Sequence, residues 1–184
     1  MKKPLFFAQE LLSAALPPGG YAVDATCGNG QDTVFLANLV GPFGRVLAMD
    51  VQEKAVENTR RLLEEAGLRQ RVRLVLASHS ELSTYLDASP DAAVFNLGYL
   101  PGGDHSLVTR PETTLAALRA LLPNLKKGGA VTIVVYTGHA GGMAEYEALQ
   151  AYTATLPQEE YAALEYRLLN QKNCPPLLIA IMRL

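Results

Sequence analysis

Apolar residues recur at helical spacing through residues 5–16, and the run Pro17-Pro18-Gly19-Gly20 stops the helix they predict. Residues 21–24 read as a short strand feeding a tight loop over 25–30. A helix over 32–40 follows, with Phe35, Leu36 and Leu39 as its buried stripe. Gly41-Pro42-Phe43-Gly44 forms a turn before a buried strand over 45–50 that ends in an acid. Ala55, Val56, Thr59, Leu62, Leu63 and Ala66 mark one face of the next helix, with Gly67 at its C-terminal end. Strands over 72–76 and 92–96 come next, then a polar loop rich in Gly and Pro. Thr109-Arg110-Pro111-Glu112 has the form of a capping box with proline in the first turn, opening a helix that carries Leu115, Leu118, Leu121 and Leu122. Gly128-Gly129 precedes a β-branched strand over 130–136, followed by a helix over 143–155 and late strands over 162–169 and 177–182.

Strands alternating with helices imply right-handed βαβ units and a parallel sheet covered on both faces. Only residues 170–176 separate the last two strands, a connection short enough to demand antiparallel pairing. The expected fold is therefore α/β: a doubly wound, mostly parallel seven-stranded sheet with a C-terminal antiparallel strand, Rossmann-like. With 184 residues, 49% of them apolar, and no linker or repeat, the reading is a single domain over 1–184.

Composition narrows the classes further. The net charge of −2 and a charged fraction of 18% argue against a disordered tail or a polybasic nucleic-acid coat. Two cysteines, Cys27 and Cys174, make no disulfide framework, and no Cys/His cluster has zinc spacing, so no metal is expected. Gln9 and Glu10 interrupt the apolar run after Lys2-Lys3, against a signal peptide, and no stretch approaches the ~20 residues needed to cross a bilayer. A cytoplasmic protein with no membrane partner is the expectation.

Open α/β sheets bind ligands beyond the C-terminal ends of their strands. Asp24-Ala25-Thr26-Cys27-Gly28-Asn29-Gly30-Gln31-Asp32-Thr33 occupies that place after the first strand, and Gly28 and Gly30 admit a close backbone approach. Asp50, twenty residues past Gly30, can accept both hydroxyls of an adenosine ribose. Thr33 stands where the dinucleotide fingerprint has its third glycine, and Asp24, Asn29 and Asp32 would repel a pyrophosphate. The loop thus favours S-adenosylmethionine, a cation without phosphate, over a nicotinamide dinucleotide. Ser78 and His79, after the third strand, lie where adenine edges are read.

Beside this end of the sheet, Asn96 and Tyr99 are three apart, as in the Asn-Pro-Pro-Tyr loop of amino-group methyltransferases, with Leu97-Gly98 in place of the prolines. An alkylamine must lose a proton before it attacks, and Asp104, His105, His79 and His139 are the nearby candidates to take it. Residues 136–142 bring Tyr136, His139 and three glycines to the same rim. A small-molecule or rRNA methyltransferase and a non-catalytic adenosine-binding module stand as the alternatives; a nicotinamide dehydrogenase fits least.

DATCGNGQDT (24–33), AMDVQ (48–52), FNLGYLPGGD (95–104), YTGHAGG (136–142) and NQKNCPP (170–176) together give the chain a specific resemblance. It resembles the S-adenosylmethionine-dependent tRNA methyltransferases acting on wobble 5-aminomethyl-2-thiouridine, formerly labelled rRNA methylases. Gln31 departs from the pattern, since many members carry His there. The resemblance implies a class I methyltransferase fold and conversion of the aminomethyl nitrogen to methylaminomethyl. It implies cofactor binding by Asp24, Gly28, Gly30 and Asp50 with their neighbours Thr26, Cys27, Asn29, Asp32, Thr33 and Gln52; Ser78, His79 and Asn96 are further cofactor candidates from their place at the strand ends. The acceptor falls near Asn96 and Tyr99, with Asp104 as a further catalytic candidate. The implied partner is the tRNA anticodon region, which a homodimer would suit. With so little net charge, tRNA should be held through few phosphates, for which Arg110, Lys126, Lys127 and Lys172 are the candidates.

Overall fold

The computed structural model describes residues 2–104 and 107–184. Among them the chain forms α1 (Pro4–Ala15), β1 (Tyr21–Asp24), α2 (Gln31–Val40), β2 (Arg45–Asp50), α3 (Glu53–Glu65), β3 (Val72–Leu76), α4 (Leu82–Tyr85), β4 (Ala92–Leu97), α5 (Pro111–Leu121), β5 (Ala130–Val135), α6 (Gly142–Thr153), β6 (Tyr161–Tyr166) and β7 (Leu177–Arg183). The strands make one sheet in the order β3-β2-β1-β4-β5-β7-β6. All neighbours pair parallel except β7, which runs antiparallel to both β5 and β6. The expected architecture is the observed one.

Alternation along the strands divides the core. Val23, Leu47, Met49, Ala93 and Phe95 pack with Leu82, Leu118, Leu121 and Leu149 on one face. Ala22, Val46, Ala48, Ala92 and Val94 pack with Leu12, Leu36, Val40 and Leu63 on the other. Successive side chains of a strand point to opposite faces, so each strand serves both layers. The direction of winding reverses between β1 and β4, which opens the cleft described below.

Three local expectations are corrected. In α2 the buried residues are Thr33, Leu36, Ala37 and Val40, while Phe35 and Leu39 are half-buried. The helix is turned by the Thr33 hydroxyl, which donates to Asp24 Oδ2 at 2.6 Å. In α5 the N-cap is Arg110, not Thr109: the Thr113 hydroxyl donates to the Arg110 carbonyl, and Thr109 is engaged elsewhere. β6 ends at Tyr166, short of Leu169, because this edge strand has no covering layer over residues 162–165, which are exposed.

Asp24 is the central buried polar group at the tip of β1, 1% exposed. Its carboxylate accepts the Thr33 hydroxyl and, at 3.2 Å, the Thr26 N–H, which ties the loop after β1 to the first turn of α2. Burial, reinforced by nearby Asp32, pushes its pKa up to about 7. The folded protein therefore holds a proton that the unfolded chain has released above pH 4, and stability falls as pH rises from about 4 to about 7. Asp24→Asn removes this contribution. Urea denaturation at pH 5 and pH 8 should show wild type losing ~2–3 kcal/mol relative to Asp24→Asn between the two. An unchanged difference would place the titration on another group.

Candidate functional site

The tips of β1, β2, β4 and β5 surround a cavity of about 890 Å³. Ala25, Thr26, Cys27, Gly28, Asn29, Gln31 and Asp32 form one wall, Asp50, Val51 and Gln52 another, and Ser78 and His79 a third. Asn96 to Pro101 and Leu107 to Arg110 close it from the β4 side, with Tyr136, Gly138, His139 and Cys174 opposite. Asp24, Gly30 and Thr33 stand behind the wall rather than on it, and shape the loop instead. Gly30 caps α2 at φ 86°, and a Cβ there would meet the Thr59 backbone of α3 at 3.0 Å.

Asp50 faces the cavity at the end of β2. One carboxylate oxygen accepts the Gly28 N–H and the other the Gln52 N–H, each at 3.0 Å. Burial raises the pKa of Asp50 and of Asp32. Burial also raises that of Cys27, so its thiol stays protonated. This concentration of carboxylates with lone pairs still open suits a ribose and a cationic group.

Asn96 is held twice. Its N–H donates to Thr26 Oγ1 at 2.7 Å, and its Nδ2 donates to Asp32 Oδ2. Its Oδ1 is buried and has no hydrogen-bond partner among the described residues. Tyr99 is 44% exposed on the cavity wall, its ring edge-on to His139 at 6.0 Å between centroids.

The loop after β4 is stiffened without the two prolines. Gly98 N–H donates to Thr109 Oγ1 at 2.9 Å, Thr109 N–H donates to the Gly98 carbonyl at 3.0 Å, and Tyr99 bridges Val108. Gly98 takes φ 146°, a conformation side chains disfavour. Beneath it lies Glu145 of α6, 0% exposed, which accepts the hydroxyls of Thr109 and Thr114 at 2.7 and 2.6 Å. Sequence reasoning missed Glu145, which reads as an exposed helix acid. The one available signal was its place in a segment of small and aromatic neighbours.

The candidate proton acceptors now separate. His79 is buried, and its Nε2 lies 3.1 and 3.4 Å from the Thr113 and Thr114 hydroxyls. Both hydroxyls give their protons to other acceptors, so Nε2 carries the hydrogen. Burial lowers its pKa to about 4, keeping it neutral. Asp104 pairs through its main chain with the Gln52 amide and borders a smaller hollow beside Val51 and Lys54, apart from Asn96 and Tyr99. His105 lies outside the described residues. His139 Nδ1 is 2.9 Å from the Ala140 carbonyl and so must be the protonated nitrogen; Nε2 is buried with no partner.

Of the phosphate candidates, Arg110 lines the cavity. Lys126 does not: it pairs with Asp91 at 2.8 Å at the start of β4, the opposite end of the sheet, and Lys127 lies beside it. A residue preceding a strand of this sheet cannot reach the rim where that strand ends.

The chain matches, over residues 46–182, the protein family described as "Putative rRNA methylase". It is 37% identical to the chloroplastic tRNA (mnm(5)s(2)U34)-methyltransferase of Arabidopsis thaliana, across 99% of this chain and 70% of that one. A solved structure from Clostridium thermocellum, described as a "putative rRNA-methylase", shares 41% identity at a TM-score of 0.97, covering 100% of this chain and 99% of the other. The Streptococcus mutans protein SMU.1697c, described as a "putative methyltransferase" and solved in complex with SAH, shares 39% identity at a TM-score of 0.92, with 100% and 99% covered. With the class I methyltransferase fold and this similarity across nearly its whole length, the chain belongs to the rRNA methylase family.

Proposed function

We propose that this protein transfers a methyl group from S-adenosylmethionine to the aminomethyl nitrogen of wobble 5-aminomethyl-2-thiouridine in tRNA. The observation that carries this reading is Asn96 Oδ1, a buried acceptor without a donor, on the wall of a cavity rich in carboxylates. Such an atom calls for a ligand with a hydrogen-bond donor, which an amine supplies, because a buried polar group left unpaired costs about 1–3 kcal/mol. The activity named for the Arabidopsis relative and the SAH bound to the S. mutans protein support the same reading. Among the described residues, no helix is long and apolar enough to cross a membrane. The proposal extends to the anticodon region as the part of tRNA engaged, to a homodimer, and to work in the cytoplasm.

S-adenosylmethionine supplies, when bound, an electrophilic methyl group on a sulfonium. Asp50 is placed to accept ribose hydroxyls, with the Gly28 backbone beside it. Asn96 Oδ1 accepts an N–H of the substrate amine and directs its lone pair, with Tyr99 offering an aromatic face to the base. Alignment of this kind, with water excluded, accounts for most of what a methyltransferase must do. His139 Nε2, the imidazole nitrogen without a partner, takes the proton that the ammonium loses before attack.

The test uses tRNA from a strain lacking this gene, labelled S-adenosylmethionine and nucleoside mass spectrometry. Methylaminomethyl nucleoside should accumulate; label in metabolites but not in tRNA would contradict the proposal. Asp50→Ala should weaken cofactor binding by tenfold or more in calorimetry. Asn96→Ala should lower kcat by about 10²-fold with cofactor affinity within about threefold. Equal loss of affinity in both would mean the site is wrongly divided. His139→Ala should lose about 10²-fold at pH 7 and recover as the pH approaches 9–10, where the free amine deprotonates unaided. A pH profile parallel to wild type would remove His139 as the proton acceptor.

A further inference from the structure

Asp32 lies in the first turn of α2, where the sequence reading placed it among the cofactor residues. In the structure its carboxylate lines the cavity and also reaches the acceptor side. Asn96 Nδ2 donates to Asp32 Oδ2, and Gln9 of α1 lines the same cavity. Tyr136 feels its charge across the cavity, and so does Asp24 from behind.

An asparagine side chain presents a donor edge and an acceptor edge of nearly the same shape, and only its surroundings decide which points where. The Asn96 backbone is already fixed by its N–H bond to Thr26 Oγ1, so rotation of the terminal amide is the freedom that remains. A carboxylate accepts and cannot donate when ionised. It therefore holds the NH₂ edge toward α2 and leaves Oδ1, the unpartnered oxygen, as the edge offered to a ligand. With the amide reversed, two donors would face the substrate amine and its attack would be blocked.

We propose that Asp32 is a positioning residue for methyl transfer: through Asn96 it sets the acceptor polarity of the site. The inference rests on the proposed amine-methylating function for its kinetic consequence, and on geometry alone for the hydrogen bond. No covalent step passes through Asp32.

The experiment is a double-mutant cycle on the full-length protein with the hypomodified tRNA, together with calorimetry of S-adenosylmethionine binding. Asp32→Ala should lower kcat by about 10–100-fold while cofactor Kd changes by less than about threefold. In the Asn96→Ala background the same substitution should change kcat by less than about threefold. Asp32→Asn, whose amide can pair with Asn96 in either sense, should retain more activity than Asp32→Ala and keeps the test open should the alanine variant fold poorly. Independently of turnover, the Asn96 side-chain amide protons should move in NMR spectra as Asp32 titrates, and stop doing so in Asp32→Asn. Additive losses in the cycle, or a tenfold rise in cofactor Kd shared by both Asp32 variants, would overturn the inference. Wild-type transfer to tRNA in the same assay checks the underlying function separately, because neither calorimetry nor the amide titration depends on it.

Discussion

A carboxyl group sealed behind a glycine loop is driven both to give up its charge and to find hydrogen bonds, and Asp24 does both: its pKa is pushed up to about 7, and two donors from different elements reach it. Thr33 carries the first turn of α2 with it, and Thr26 carries the loop after β1. From these two anchors the rest of the site follows. The rotation of α2 set by Thr33 points Asp32 at Asn96, while the Thr26 hydroxyl receives the Asn96 N–H. A residue on β4, held on one side by its pairing with β5, is thereby held on the other by residues that follow β1, across the point where the sheet reverses its direction of winding. In the proposed reaction, the amine-binding asparagine belongs to the sheet itself.

The opposite wall uses the same device. Glu145 is buried to no exposure at all, and the two threonine hydroxyls that satisfy it lie on the loop after β4 and on α5. Thr109 in turn pairs through both its N–H and its oxygen with Gly98. A pair of prolines would restrict the loop through covalent rings; here a hydrogen-bonded ladder anchored on a buried acid does so. His139 sits beside Gly98, where a Cβ would lie at ordinary contact distance from Nε2, 3.5 Å, so the φ of 146° rather than space is what favours glycine.

Much of this was legible before any coordinates. The strands over 21–24, 45–50 and 72–76 fall where alternation and β-branching place them, and the short 170–176 connection fixes the antiparallel end. Asp50, Gly28, Ser78, Asn96 and Tyr99 gather around one cavity because strand tips were the right place to look. What stayed hidden depends on contacts distant in sequence. Phe35 and Leu39 look more apolar than Thr33, yet Thr33 is the buried residue, because its partner Asp24 is already inside. Thr109 has the sequence of a helix cap but is drawn to Glu145, 36 residues later. Asp104 sits only eight residues after Asn96, but the Gln52 amide pulls that part of the loop toward α3.

The central claim is spatial: a sulfonium donor lies across the tips of β1 and β2 with its reactive carbon toward Asn96 and Tyr99. A crystal structure with S-adenosylhomocysteine tests it most directly. The account predicts ribose hydroxyls within hydrogen-bond distance of Asp50 and the thioether sulfur facing the corner formed by Asn96 and Tyr99. Density for the ligand outside this cavity, or a sulfur turned away from that corner, would contradict it.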